Sequence, residues 1–304
     1  MQKKTLVIGY GSIGKRHAEI LDEMDEISLV AIFSSQFDLP YDTLSALQDI
    51  PDFDPDYVVV GSPTNKHYSQ LMFLEENLKE KKFLVEKPLF EAFHDYEIKN
   101  NEVYVGYNLR FHPLLNKVKE LISVRKLWNI QVFCGSYLPD WRPGRDYRET
   151  TSAKTDSGGG VLLDLSHELD YVQWLTGAID LKYCVSEKIS DLNIETDDFL
   201  HLSGKSASGA NVHLVLNYFT RQPLRQILID GEGISIQADL IANTLSVVQE
   251  SESSNFAWPE FERNDTYLAQ HQAILEDEKT CLCTYAEGLE TMRLIDRIRS
   301  FGNS

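Results

Sequence analysis

The feature that most constrains this chain is the hexapeptide Gly9-Tyr10-Gly11-Ser12-Ile13-Gly14. Residues 6–9 read as a continuous apolar strand, and residues 12–24 as a helix with Ile13, His17, Ile20 and Leu21 on one face. A strand that passes into a helix through such a loop is the opening of a dinucleotide-binding βαβ unit. Gly9 permits the tight turn, Gly11 lets backbone approach a pyrophosphate, and Gly14 allows close packing of helix on strand. The amides of Ser12 and Ile13, at the start of the helix, attract negative charge. A bare GxGxxG is weak evidence, but its place after a strand and before a helix makes it specific.

The alternation continues. Strands are expected at 27–33, 57–61, 82–85 and 103–107, with a helix from the turn Ser62-Pro63-Thr64-Asn65 through residue 79. Continuous apolar strands alternating with amphipathic helices mean a doubly wound parallel sheet, a Rossmann-type α/β domain over residues 1–110. Right-handed crossovers leave Gly9, Ser34, Gly61, Glu86 and Tyr107 along a common edge. The link 88–103 is short for a crossover helix, so a compressed element is expected there.

Beyond residue 110 the texture changes. Helices are expected at 112–124 and 160–175, a long strand at 129–137, and meander strands at 181–186, 199–204, 211–220, 225–230 and 234–238. Ser206-Ala207-Ser208-Gly209 and Gly231-Glu232-Gly233 mark hairpin turns, and the polar run 250–255 reads as an exposed loop. Residues 111–304 therefore form an α+β domain with a mainly antiparallel, open sheet and helices on one face. The last helix, 285–299, is expected to pack back on the first domain.

The formal net charge of −18 excludes a nucleic-acid binder, which needs a basic surface, and equally excludes docking on anionic membranes. The N-terminus runs into a strand without a leader pattern, and no apolar run approaches a membrane span. Cys134, Cys184, Cys281 and Cys283 are expected to be reduced, and Cys281-x-Cys283 is too tight for a zinc knuckle, so no metal is expected. A soluble cytoplasmic protein is the expectation.

Three further stretches carry chemistry. Glu86-Lys87-Pro88 puts a lysine at the carboxyl end of a parallel strand, where such sheets bind ligands. The end of the second strand is Ser34-Ser35-Gln36, with neither an acid to exclude a 2′-phosphate nor an arginine to clamp one. NAD and NADP both remain open, with a slight lean to NADP because serines donate to phosphate oxygens. Gly158–Gly160 run into a helix that puts Asp164 and His167 one turn apart on one face, a proton-transfer arrangement, whereas Asp170 reads as a solvated acid. Between the long strand and that helix, Trp141, Arg142, Arg145 and Arg148 interleave arginines with aromatics, which suits a carboxylate or phosphate on the substrate. The bland alternative pairs those arginines with Asp140, Asp146 and Glu149.

Together these motifs, with Ser62-Pro63-Thr64-Asn65-Lys66-His67 and Gly106-Tyr107-Asn108-Leu109-Arg110-Phe111, occur in the order of the Gfo/Idh/MocA oxidoreductases, which the whole chain resembles. The loop around Trp141 and the segment 163–171 are similar to a bacterial branch associated with surface-polysaccharide sugars. The resemblance implies NAD(P)-dependent hydride transfer on a sugar or polyol, acidic or nucleotide-linked in that branch, and a homodimer or homotetramer through the second sheet. It implies cofactor contacts at Gly9, Gly11, Ser12, Ile13, Gly14, Ser34, Ser35, Ser62, Pro63, Thr64, Asn65, His67, Glu86 and Lys87. Substrate contacts would come from Lys87, Asn108, Arg110, Trp141, Arg142, Arg145 and His167. Lys87 and His167 match the family's active-site lysine and histidine, and the Lys87–Pro88 bond is often cis in the family. Asp164 matches the family's aspartate less securely, because the family usually places four steps between that acid and the histidine and this chain has three.

The expected division of labour gives the proton to His167 and the electrostatic stabilisation of the reacting oxygen to Lys87, with the reverse assignment as an alternative. The same fold also supports glycosidases that use tightly held NAD without net redox change, and non-catalytic proteins that bind the cofactor for regulation. Substrate-dependent reduction of the cofactor separates the first reading from both.

Overall fold

A computed structural model describes residues 2–301. The chain begins with β1 (Lys3–Ile8), α1 (Ser12–Asp22), β2 (Ile27–Phe33), β3 (Asp42–Leu44), α2 (Ile50–Phe53), β4 (Tyr57–Val60), α3 (His67–Asn77), β5 (Lys82–Val85) and β6 (Glu102–Val105). It continues with α4 (Pro113–Ile122), β7 (Leu127–Gly135), α5 (Val161–Asp164), α6 (Ser166–Thr176), β8 (Ile179–Glu187), β9 (Phe199–Ser206) and β10 (Asn211–Asn217). The remaining elements are β11 (Leu224–Gly231), β12 (Ile234–Asp239), β13 (Thr244–Gln249), β14 (Glu252–Ala257), α7 (Arg263–Glu276), β15 (Cys283–Thr284) and α8 (Tyr285–Ser300). Contacts divide the chain into two units, residues 1–111 with 262–292, and residues 112–261 with 293–304.

The first unit is built on a seven-stranded sheet in the order β15-β6-β5-β4-β1-β2-β3. All its pairs are parallel except β15 with β6. Leu6, Val7 and Ile8 of β1 and Val58, Val59 and Val60 of β4 are fully buried, as strands covered on both faces must be. The order reverses at β1, so the crevice beyond its carboxyl end, between β1 and β4, is the topological switch point. Registry there is tight: Ile8 pairs with Phe33 and Val60, and Val85 with Val60 and Val105. The residues that follow, Gly9, Ser34, Gly61, Glu86 and Gly106, therefore share one edge. Residues 88–101 reach β6 without a regular helix or strand. α7, for which the sequence reading held no element, packs against α1 and adds Tyr267, Ala273 and Ile274 to the core of this unit.

The second unit carries an eight-stranded sheet in the order β14-β13-β12-β11-β7-β10-β9-β8. It is antiparallel except for β7 with β10, a parallel pair formed because β7 inserts between strands that come later in the chain. The expected meander is corrected to that extent. Alternation of buried and exposed residues, clearest in β10 and β12, shows one covered face and one open face. α5 packs on β9 and β10, and Lys119 of α4 lies 3.7 Å over the Trp174 ring of α6. The polar run expected as a loop is the edge strand β14, whose Glu252, Ser253, Ser254 and Asn255 are all exposed. Polar side chains on an edge strand are how open sheets avoid further pairing.

Candidate active site

In the first unit the glycine loop is built by close backbone approach. Gly9 has φ 91°, and a Cβ on it would lie 2.7 Å from Ser62 Cα. A Cβ on Gly14 would lie 2.0 Å from the Gly9 carbonyl oxygen, so helix and strand can meet only at glycine. Gly11 differs: a Cβ there would meet nothing within 4 Å. It is the N-cap of α1, without a side-chain cap and with no acid in the first turn. Exposed amides at a helix start with no acid beside them are the donor set a pyrophosphate needs, so these residues fit the cofactor implied by the sequence.

The loop after β2 is tied to that cradle. Gln36 donates from Nε2 to the Tyr10 carbonyl at 2.8 Å, and the Gln36 amide donates to Ser34 Oγ at 3.2 Å. Ser35 is exposed. Ser62 donates to Gln70 Oε1 at 2.6 Å. Pro63 and Asn65 are exposed, and Thr64 opens a short 3-10 turn. His67, 1% exposed, lies with its ring nitrogens 2.9 Å from the Ser62 carbonyl and 3.2 Å from that of Pro88. Burial lowers its pKa despite those carbonyls, and a neutral ring has a single N–H, so it binds one of the two carbonyls at a time.

Lys87 is half-buried at the end of β5, and its bond to Pro88 is cis. The Lys87 amide donates to Glu86 Oε2 at 3.0 Å. Glu86 is buried, and its other oxygen meets His17 Nε2 at 2.9 Å. Burial alone would raise the Glu86 carboxyl, but the His17 contact, the Lys87 amide and the Lys87 charge hold it below its ordinary value. His17 Nδ1 lies 2.9 Å from His271 Nε2, and His271 Nδ1 lies 2.8 Å from the Tyr57 hydroxyl. Sequence reading placed His17 only on an apolar helix face and missed His271 and Tyr57. The signal for His271 was the helical spacing of Tyr267, Gln270, His271 and Ile274, all buried.

Two expected substrate residues are occupied within this unit. Arg110, 2% exposed, donates to Glu287 Oε1 at 2.9 Å and to the Leu282 carbonyl at 3.3 Å. Asn108, 4% exposed, donates to Thr266 Oγ1 at 2.6 Å. Both tie the end of the first βα run to the C-terminal segment that completes the unit.

In the second unit the expected helix over 160–175 is two helices. The chain turns at Leu165 (φ −98°, ψ 28°), so Asp164 ends α5 while His167 lies in the first turn of α6. The shared continuous helix face inferred for them is therefore corrected. Asp164 accepts from the Tyr218 hydroxyl at 2.7 Å, and Trp141 meets the Tyr218 ring edge-on at 5.2 Å. Trp141, Arg142, Arg145 and Tyr147 line one hollow. Of the loop's arginines only Arg148 has a carboxylate partner: it grips Asp146 bidentately at 2.6 and 2.9 Å and pulls that carboxyl down to about 2. Arg142 and Arg145 form no ion pair among the described residues. His167 is half-buried. Its neighbour Glu168 is fully buried and accepts from Arg225 Nε at 2.7 Å, while Asp170, expected to be solvated, is 2% exposed.

Asp197 sets the glycine entry to α5. Its carbonyl accepts from the Val161 amide and its Oδ2 from the Leu162 amide, each at 3.0 Å. Burial pushes its carboxyl up to about 6 against those hydrogen bonds. Between the unfolded value near 4 and that folded value the native state binds more protons, so stability falls as pH rises and the loss is complete above about 6. At about 1.4 kcal/mol per unit the loss approaches about 3 kcal/mol. Urea midpoints measured below and above that pH are expected to show it, and Asp197→Asn, which keeps an acceptor for Leu162, is expected to remove it.

Comparison with known proteins places these observations. The family model for the "Oxidoreductase family, NAD-binding Rossmann fold" matches residues 3–99, and that for the "GFO/IDH/MocA C-terminal domain" matches residues 115–237. Myo-inositol 2-dehydrogenase of Thermotoga maritima is 28% identical over 220 residues, a match that spans 65% of this chain and 60% of that relative's length. Among solved structures, the WlbA dehydrogenase from Bordetella pertussis, in complex with NADH and UDP-GlcNAcA, superposes with a TM-score of 0.82 at 18% identity, covering 100% of this chain and 97% of that one. Levoglucosan dehydrogenase in complex with NADH does so with a TM-score of 0.83 at 17% identity, covering 99% and 96%. No helix among the described residues is long and apolar enough to cross a membrane. The chain belongs to the GFO/IDH/MocA family of oxidoreductases, with an NAD-binding Rossmann domain followed by that family's C-terminal domain.

Proposed function

We propose that this protein is an NAD(P)-dependent dehydrogenase or reductase acting on a CH–OH group of a sugar, acidic or nucleotide-linked. The observation that carries the reading is the registry of the parallel sheet, which aligns the glycine loop, the Ser62 loop and Glu86-Lys87 on one edge. The relatives act in the same chemical range: one is named for myo-inositol and one for levoglucosan, and one is held with a nucleotide-linked sugar acid.

Cofactor contacts fall to Gly9, Gly11, Ser12, Ile13 and Gly14, with Ser34, Ser35 and the Ser62–His67 segment around them. When bound, the nicotinamide supplies the hydride chemistry, and the protein must orient the reacting carbon and handle one proton. Lys87 holds the substrate oxygen and stabilises charge developing on it. His167 takes or returns the hydroxyl proton, and Asp164, held by Tyr218, is a supporting acid. Arg142 and Arg145, which no carboxylate of the loop neutralises, bind the substrate's anionic group. Ser34-Ser35-Gln36 favours NADP, with NAD as the alternative that the NADH-bound relatives supply. The open sheet face, where Tyr183, Leu228 and Val248 are exposed, is assigned to a second copy of the chain, and a cytoplasmic location fits the whole.

A panel of neutral, acidic and nucleotide-linked sugars, each offered with NAD+ and NADP+, tests the reading through the absorbance of the reduced cofactor. Reduction is expected with an anionic sugar, and charge reversal at Arg142 and Arg145 is expected to raise its KM selectively. Hydrolysis of a glycoside with no net reduction would replace the proposal.

A further inference from the structure

We propose that Tyr57, His271 and His17 form a buried one-way hydrogen-bond array that positions Glu86, and through it Lys87. The inference rests on the reading of Lys87 as a catalytic residue. The array runs from β4 through α7 and α1 to the end of β5: Tyr57 hydroxyl to His271 Nδ1 at 2.8 Å, His271 Nε2 to His17 Nδ1 at 2.9 Å, His17 Nε2 to Glu86 Oε1 at 2.9 Å. Tyr57 is 1% exposed, and both histidines are fully buried.

Chemistry allows one consistent set of protons. An ionised Glu86 can only accept, so His17 carries its proton on Nε2 and offers the lone pair of Nδ1. His271 must then donate from Nε2 and accept at Nδ1, which the Tyr57 hydroxyl satisfies. A cationic His17 would reverse the two other bonds and leave the tyrosine proton without an acceptor. Burial holds His271 well below its usual range, and burial and Glu86 hold Tyr57 well above its own, so both stay neutral. Every donor in the row therefore points toward Glu86.

The carboxylate at its end is fixed on all sides. One oxygen takes His17, the other takes the Lys87 amide at 3.0 Å, and its carbon lies against Gly106, where a Cβ would come within 2.9 Å. Glu86 cannot turn without breaking the bond that orients the lysine backbone. Apolar side chains of similar size would fill the same interior without the cost of burying polar groups. Three polar groups drawn from three elements to one strand end point to aim rather than to stability.

The side-chain nitrogen shifts of isotope-labelled histidine in the full chain read the array without substrate. Both His17 and His271 are expected neutral, each protonated on Nε2. A doubly protonated His17, or His271 protonated on Nδ1, at neutral pH would overturn the proposal. Kinetics supply the second arm. His17→Leu is expected to lower kcat and kcat/KM together by about tenfold, with cofactor Kd within about twofold. His17→Gln, whose amide can still donate to Glu86, is expected to recover most of that loss. Where His17→Leu does not fold, Tyr57→Phe decides: it keeps the shape and removes the donor to His271 Nδ1, and is expected to lower kcat about threefold with His271 still protonated on Nε2. A Tyr57→Phe enzyme with unchanged kcat, or a His17→Gln enzyme as impaired as His17→Leu, would refute positioning. Full turnover in Lys87→Ala would instead sink the functional reading and leave the tautomers as they are.

Discussion

Replacing Lys87 with alanine is expected to lower kcat by about 10²–10³-fold while cofactor Kd stays within about twofold. The asymmetry follows from where each task is done. In the proposed reading, cofactor binding falls to backbone amides at the start of α1 and to the neighbouring loops, one of which Gln36 ties to the Tyr10 carbonyl. Lys87 leaves β5 at the same edge, with its amide bound to the buried Glu86 carboxylate, and its side chain is assigned in the proposed reading to the substrate oxygen. A group that stabilises charge only as hydride moves takes kcat and kcat/KM down together. Lys87→Arg keeps the charge but presents a planar fork in place of a compact ammonium, and is expected to recover only part of the rate. Steady-state kinetics on the substrate found by the sugar panel, with a cofactor titration on each variant, makes the measurement. Turnover within threefold of the parent in Lys87→Ala would remove the lysine from the mechanism.

The parts of the molecule that sequence revealed are those whose local pattern matches their final surroundings. β2 and β5 were bounded to the residue, because runs such as Ile27–Phe33 and Lys82–Val85 are buried and apolar and end at polar turns. The glycine loop was legible for the same reason: Gly9 and Gly14 answer to backbone contacts within one βαβ unit. α7 escaped because its buried face carries Thr266, Tyr267, Gln270 and His271 where an apolar stripe was sought. β14 escaped because an edge strand need not be apolar. The break at Leu165 was hidden inside a helical pattern that continues on both sides of it, and Asp170 looked solvated because a burying environment is a long-range property. The array behind Glu86 lies at the far end of this scale. Its members are separated by as many as 254 positions, His17 from His271, and no local window contains the pair.

Gly11→Ala and Gly14→Ala are expected to separate cofactor binding from folding. In Gly14→Ala the new Cβ would stand 2.0 Å from the Gly9 carbonyl oxygen and 2.9 Å from its carbon, both backbone atoms that cannot swing aside. α1 must then lift from β1, against Gly61 as well, whose own Cβ position lies 3.2 Å from Gly14 Cα. Overpacking of this severity costs about 3 kcal/mol or more, and displacement of the helix start takes the amide donors with it, so stability and cofactor affinity fall together. Gly11 has ordinary extended backbone, φ −75° and ψ −170°, and open space where its Cβ would go. Alanine there is expected to leave stability within about 0.5 kcal/mol of the parent. Yet that Cβ would stand where the pyrophosphate must come close, and cofactor affinity is expected to fall by about tenfold or more. Thermal melts with and without cofactor distinguish the two: Gly14→Ala melts early in both, whereas Gly11→Ala melts normally alone and loses the cofactor-induced rise. A full rise in Gly11→Ala would mean that the cofactor phosphates do not lie against this loop.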